Sequence, residues 1–222
     1  MKLRIHGGES TAAIFDFDET MIDLEAQHTA ASAALCREMG GDYFSLPDEL
    51  RLASGRRIID EIADMKARFG WTKSVEELLP IRQRYFRDAC LGTHLELLPC
   101  VEKVVRELHA NGLALAIATS AVRGEIEEIL RRTGLRDCFA VIVDGSEVTR
   151  AKPDPEAYLV TAKKLGVGAE ECVVFEDSAI GVQAAKAAGA RCIAIRNRRA
   201  HFPQDLSGAD VVLDSFCELM VG

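Results

Sequence analysis

The stretch 11–23, TAAIFDFDETMID, constrains this chain more than any other part of it. Ala12, Ala13, Ile14 and Phe15 form a short unbroken apolar run, the pattern of a central parallel strand covered on both faces. Asp16 follows at once, and in an open parallel sheet ligands bind in the crevice beyond the carboxyl ends of the strands. Asp18 shares the side-chain direction of Asp16 if the backbone stays extended, because side chains alternate along a strand. Two carboxylates facing one way repel, and a cation or a proton must relieve the repulsion. The pair therefore reads as a hard-metal site or as a coupled acid and base. Taken alone, a DxD triplet is also an ordinary strand-end turn.

Residues 24–95 carry helical patterns and no convincing strand. Apolar positions recur at helical spacing over 25–39, 55–69 and 75–91, with Gly40 and Gly41 as a stop after the first. This segment reads as a small helical bundle inserted after the first strand, and an insertion beyond the strand ends would stand over the site as a lid. From Pro99 the period changes. Helices over 101–111, 124–132, 155–165 and 179–188 alternate with apolar strands over 113–119, 139–143, 171–175, 191–195 and 210–213. Alternation on this scale specifies an α/β fold, a parallel sheet joined by right-handed crossovers.

Composition mainly excludes. A formal charge of −8 argues against a nucleic-acid partner, whose phosphates the overall field would repel. A small phosphate needs only local positive charge, so it stays open. The basic run Arg196, Asn197, Arg198, Arg199 reads as a solvated loop. The longest apolar runs, such as 113–118, are too short to span a bilayer, and the first residues, MKLRIHGGES, lack the apolar stretch of a signal peptide. No membrane partner and a cytoplasmic location are expected, with a monomer or weak dimer as the state. The seven cysteines include no CxxC pair and read as reduced thiols rather than a disulfide framework or a zinc site.

Three more strand ends carry polar groups. Thr119 and Ser120 follow the second strand, where a hydroxyl and the N–H groups opening the next helix could face an anion; the same pattern is a plain helix N-cap. Lys152 lies in AKPDPEAY, held by Pro153 and Pro155 just before a helix. Glu176 and Asp177, in FEDSAIGVQAAKAAG, repeat the order of strand, carboxylates and helix.

In order and position, DFDET, Thr119-Ser120, Lys152 and FEDSAIGVQAAKAAG resemble the four signatures of the haloacid dehalogenase-like phosphohydrolase superfamily, whose first runs Asp-x-Asp-x-Thr. The resemblance covers the whole chain, and its last motif is close to β-phosphoglucomutase-like proteins and small sugar-phosphate phosphatases. It implies a Rossmann-like three-layer sandwich from residues 1–22 and 96–222, with residues 23–95 as an alpha-helical cap. It also implies Mg²⁺ as cofactor and a small phosphorylated metabolite, a sugar or polyol phosphate, as substrate. Phosphate monoester hydrolysis needs accelerations of up to ~10²¹, so charge neutralisation and positioning must dominate. In that scheme Asp16 is the nucleophile and Asp18 the general acid and base. Asp16, the Asp18 carbonyl and Asp177 hold the metal with Glu176 close by, while Thr119, Ser120 and Lys152 bind the phosphoryl group.

Substrate choice falls to the cap. His28 matches in position a cap-hinge histidine of the β-phosphoglucomutase-like proteins, and Arg56 and Arg57 lie near a cap arginine that binds a second phosphate. Glu19 stands where glycine is usual in the sugar-phosphate branch. Ala121 and Arg123 replace polar residues with which a mutase grips its distal phosphate, which puts a phosphatase ahead of a β-phosphoglucomutase. A haloacid dehalogenase would need neither Asp18 nor a metal. A phospho-accepting signalling module would share the acidic pocket and the lysine, but not the long helical insertion.

Overall fold

Strands that are apolar on both faces can be buried only if both faces of the sheet are covered. A computed structural model describes residues 2–51, 57–91, 93, 95–196 and 204–222, and the chain divides into two units: Met1–Asp23 with Glu96–Gly222, and Leu24–Leu95. A hairpin of β1 (Leu3–Ile5) and β2 (Gly8–Ser10) precedes β3 (Ala12–Phe15). The second unit then contributes α1 (Glu25–Glu38), α2 (Asp48–Arg51), α3 (Ile58–Phe69) and α4 (Val75–Leu91). The first unit resumes with α5 (Val101–Ala110), β4 (Ala114–Ala118), α6 (Arg123–Thr133), β5 (Val141–Val143) and α7 (Glu156–Leu165). It closes with β6 (Cys172–Glu176), α8 (Ala179–Ala187), β7 (Arg191–Ile195) and β8 (Val211–Leu213).

Six strands form one parallel sheet in the order β5-β4-β3-β6-β7-β8, the α/β arrangement expected from the alternation of elements and the Rossmann-like core that the family resemblance implies. Helices α6 and α7 end where Gly134 and Gly166 take up left-handed backbone, φ 69° and 76°. The two sheet faces are sorted by side-chain size. Ala12, Ile14, Ala116, Ala118, Val174 and Ala194 share a core with Tyr158 and Ala162 of α7 and Val182, Ala184 and Ala185 of α8. Small strand side chains let these helices approach closely. Because side chains alternate, Phe15 and Phe175 fall on the other face, their rings stacked 4.7 Å apart. Phe139 and Phe216 meet Phe15 there at 5.8 and 6.1 Å. Truncating Phe15 would remove about 3–5 kcal/mol.

Within the helical unit, α4 packs against both α1 and α3. Leu35, Ile62, Leu78 and Phe86 are buried there. Among the described residues no helix is long and apolar enough to cross a membrane.

Two features depart from the sequence expectations. The hairpin was not foreseen, since three-residue strands are too short to show a period; its turn puts His6 and Gly7 at φ 43° and 87°. It is tied to the other end of the chain, where Arg4 N–H donates to the Gly222 carbonyl at 3.1 Å and Gly222 N–H to the Arg4 carbonyl at 3.0 Å. The second departure corrects the reading of the cysteines as all reduced: Cys100 and Cys217 form a disulfide, with Cα atoms 5.1 Å apart. A separation of 117 residues leaves no local trace in a sequence. Phe216, seated on Phe15 and Phe175, carries the neighbouring Cys217 to the start of α5. The other five cysteines are free and buried. Of the basic run, Arg196 pairs with Asp214 at 3.1 Å, and Asn197, Arg198 and Arg199 lie outside the described residues.

Thiol titration of the unfolded chain without reductant should find the five free thiols rather than all seven cysteines. Cys217→Ser should lower the unfolding free energy by about 2–4 kcal/mol, measured by denaturant titration. Seven reactive thiols, or an unchanged midpoint, would contradict the crosslink.

Candidate active site

Register builds the site. Phe15 pairs with Ile117 on one side and Phe175 on the other, so the residues just beyond them meet at one edge of the sheet. Asp16 N–H donates to the Phe175 carbonyl at 2.9 Å, extending the strand pairing by one residue and fixing where its carboxylate begins. Lys152 arrives from the segment between β5 and α7, where its peptide bond to Pro153 is cis. Its buried ammonium donates to Asp16 Oδ1 and to Glu176 Oε1, both at 2.6 Å, and lies 3.4 Å from the Ala118 carbonyl. Thr20 Oγ1 donates to Asp177 Oδ1 at 2.8 Å and reaches Asp16 Oδ2 at 3.5 Å.

Glu176 is fully buried, and both its oxygens are engaged. Oε1 accepts from Lys152 and from the Tyr158 hydroxyl at 2.5 Å. Oε2 accepts from Asp177 N–H at 3.1 Å, Ser178 N–H at 3.2 Å and Ser178 Oγ at 3.0 Å. Helix α8 leaves room for this carboxylate only through Gly181: a Cβ there would fall 1.9 Å from it. The glycine of the EDSAIG motif is therefore a cradle for Glu176.

Charge is unevenly relieved. Burial pushes the Asp16 carboxyl up to about 7, with Glu176 and Asp18 adding to the rise and Lys152 opposing it. Asp177 is raised well above its ordinary range by burial and by Glu176 and Asp16. Burial also opposes ionisation of Glu176, but Lys152 and the hydrogen bonds outweigh it and hold the carboxyl below its usual value. The two partners of Lys152 thus shift in opposite directions. Glu176, with five donors, is the one that stays charged. Asp16, Glu176 and Asp177 each offer an oxygen within 4.8 Å of the others, and Asp177 Oδ2 is buried with no hydrogen-bond partner among the described residues. A hard divalent cation fits such a set: it takes carboxylate oxygens and supplies the charge that one lysine does not.

The other expected residues are placed as follows. Asp18 is half-buried and bridges to Ile22 as the chain turns back; its carboxylate does not belong to the three-oxygen group. Glu19 has φ 63°, the left-handed backbone that explains why glycine is usual at this position. Thr119 is buried at the end of β4, level with the Lys152 contact to Ala118. The helix-cap alternative for Thr119 is ruled out: α6 starts at Arg123 with Val122 as its cap, and the Thr119 hydroxyl accepts from Ala121 N–H at 3.1 Å. Ser120 follows, half-buried. Arg123 is committed to Asp144 at 3.0 Å, to the Ile142 carbonyl at 2.5 Å and to Glu147.

His28 and Arg57 belong to the helical unit. His28 stacks on Phe86 at 4.5 Å, and its Nδ1 lies 2.7 Å from a guanidinium nitrogen of fully buried Arg82. Arg57 makes a two-point ion pair with Asp60 at the start of α3, at 2.8 and 3.0 Å. Arg56 lies outside the described residues. Sequence reasoning did not single out Thr20, Tyr158, Ser178 or Gly181. Thr20 was visible as the threonine of DFDET, and Ser178 and Gly181 as letters of EDSAIG, but only folding shows Thr20 meeting a residue 157 positions on. Tyr158 carried no signal beyond its place after AKPDPEA.

The chain matches the haloacid dehalogenase-like hydrolase family over residues 13–195. It is 31% identical to validoxylamine A 7′-phosphate phosphatase of Streptomyces hygroscopicus subsp. limoneus, over 93% of this chain and 94% of that one. It is 32% identical to hexitol phosphatase B of Escherichia coli, over 94% and 93%. The structure of CbbY from Rhodobacter sphaeroides in complex with phosphate superposes with a TM-score of 0.84 at 29% identity, covering 94% of this chain and 96% of that one.

A carboxyl whose folded pKa is raised binds its proton more tightly in the native state, so between its ordinary value of about 4 and about 7 it subtracts stability as pH rises. In metal-free buffer the difference in unfolding free energy between wild type and Asp16→Asn should therefore decline from pH 5 to pH 7.5. A difference that is flat or grows with pH would contradict the crowding of charge at Asp16.

Proposed function

The chain belongs to the haloacid dehalogenase-like hydrolase family, and we propose that it is a Mg²⁺-dependent phosphatase of a small phosphorylated metabolite, a sugar or polyol phosphate, working through an aspartyl phosphate. One observation carries the reading: Asp16 is fixed 2.6 Å from the Lys152 ammonium, beside an Asp177 oxygen that is buried without a hydrogen-bond partner among the described residues. The phosphatases among its relatives support the reaction class.

Asp16, Asp177 and the main-chain carbonyl of Asp18 would hold the metal. Glu176 stands close by, its oxygens shared among five donors. When bound, Mg²⁺ supplies positive charge against the phosphoryl oxygens and keeps Asp16 ionised. An oxygen of the Asp16 carboxylate attacks phosphorus as the bond to the ester oxygen breaks, and Asp18, as general acid, gives a proton to that departing oxygen. The same Asp18, now ionised, takes a proton from the water that attacks the aspartyl phosphate, releasing inorganic phosphate and restoring Asp16. Lys152, Thr119 and Ser120 bind the phosphoryl oxygens throughout. Lys152 does so from a position already set by two carboxylates. Arg123, occupied by Asp144, Glu147 and a carbonyl, is not available to grip a second phosphate, which favours hydrolysis over a mutase reaction.

With a panel of phosphate esters, turnover should require Mg²⁺, vanish in EDTA and return when the metal is restored. Asp16→Asn should lower it by about 10³-fold or more, and Asp18→Asn by about 10²–10⁴-fold. β-Glucose 1-phosphate with a trace of bisphosphate should yield inorganic phosphate. Formation of glucose 6-phosphate would identify a mutase, and activity that survives EDTA would refute the metal-dependent reaction.

A further inference from the structure

We infer that Tyr158 is a positioning residue for this reaction: its hydroxyl and its ring together hold the Lys152 ammonium on Asp16. The inference rests on the phosphatase reading of the site and adds to it a residue that touches neither substrate nor metal.

Tyr158 lies in α7 and is fully buried. Its surroundings are those of a phenylalanine: Ala12, Ile14, Ala116, Ala162, Val174 and Val182 share its core. A hydroxyl buried among such side chains is unfavourable unless it finds an acceptor. It finds Glu176 Oε1, at 2.5 Å. That same oxygen accepts from Lys152 at 2.6 Å, and the Lys152 ammonium stands 5.0 Å from the centre of the Tyr158 ring. One side chain thus acts on one ammonium in two ways. The ring offers its negative face to the cation. The hydroxyl takes part of the charge of Glu176 Oε1, which leaves Lys152 shared evenly, 2.6 Å from each carboxylate.

Without the hydroxyl, Glu176 Oε1 would have Lys152 as its only described donor. The ammonium would be drawn toward Glu176 and away from Asp16. Positional errors of this kind act on the chemical step more than on binding, because the aligned charge is needed most as the phosphoryl group transfers. The effect of losing the hydroxyl should therefore appear in kcat.

The test compares wild type, Tyr158→Phe and Tyr158→Leu on p-nitrophenyl phosphate with Mg²⁺, together with the ¹⁵N resonance of the Lys152 side chain in metal-free protein. Tyr158→Phe keeps the ring and should lower kcat about tenfold with KM within twofold, and shift the ammonium resonance. Tyr158→Leu, which removes the ring as well, should lower kcat further. A Tyr158→Phe protein with kcat within twofold of wild type overturns the inference, as does a loss of kcat with an unmoved Lys152 resonance. If wild type hydrolyses no phosphate ester, the phosphatase reading fails instead, and the resonance decides the positioning role alone: a shift sustains it and no shift overturns it.

Discussion

The site depends on one buried cation placed between two carboxylates. Lys152 bonds to Asp16 and Glu176 at 2.6 Å each, and these contacts join a loop after β5 to the ends of β3 and β6, 136 and 24 residues away in sequence. Removing one partner of a buried ion pair commonly destabilises by about 3–5 kcal/mol, because the other charge is left without compensation. The arrangement is therefore structural before it is chemical. Lys152 does not neutralise the site; it divides it. Glu176 stays ionised within a full set of donors, while Asp16 and Asp177 are pushed upward and remain in need of positive charge.

The rest of the first unit makes that division reproducible. Parallel register brings Asp16 level with the last residues of β4 and β6. Small side chains on one sheet face let α7 and α8 come close, so Tyr158 and Gly181 can meet Glu176 from two helices. The phenylalanines packed together on the opposite face, stacked or edge to face, fix the strand ends from below. Precision at the carboxylates thus comes from the apolar packing behind them.

The legible parts of this protein were those with local signals. Apolar runs ending in polar residues marked β3, β4 and β6, and glycines marked several helix ends, because strand burial and left-handed backbone each constrain single positions. The hairpin at residues 3–10 was hidden by its shortness, and the Cys100–Cys217 bond by the distance between its partners in sequence. At the site, residue types announced Asp16, Lys152, Glu176 and Asp177. Their sorting into one carboxylate held ionised by a full set of donors and a cation-seeking pair did not show, since it follows from hydrogen bonds made by Tyr158, Ser178 and the backbone. Arg82 was likewise illegible: a charged residue at helical spacing reads as exposed, yet it is fully buried against His28 and Phe86.

The central claim is that Asp16 and Asp177 face a single divalent ion while Lys152 faces the phosphoryl group. The most direct measurement is a crystal structure of the protein with Mg²⁺ and beryllium fluoride, a stable mimic of an aspartyl phosphate. The account predicts beryllium on Asp16, one Mg²⁺ shared by Asp16 and Asp177, and the Lys152 ammonium within hydrogen-bond distance of a fluorine. Beryllium on another carboxylate, or Mg²⁺ bound away from Asp177, would contradict it.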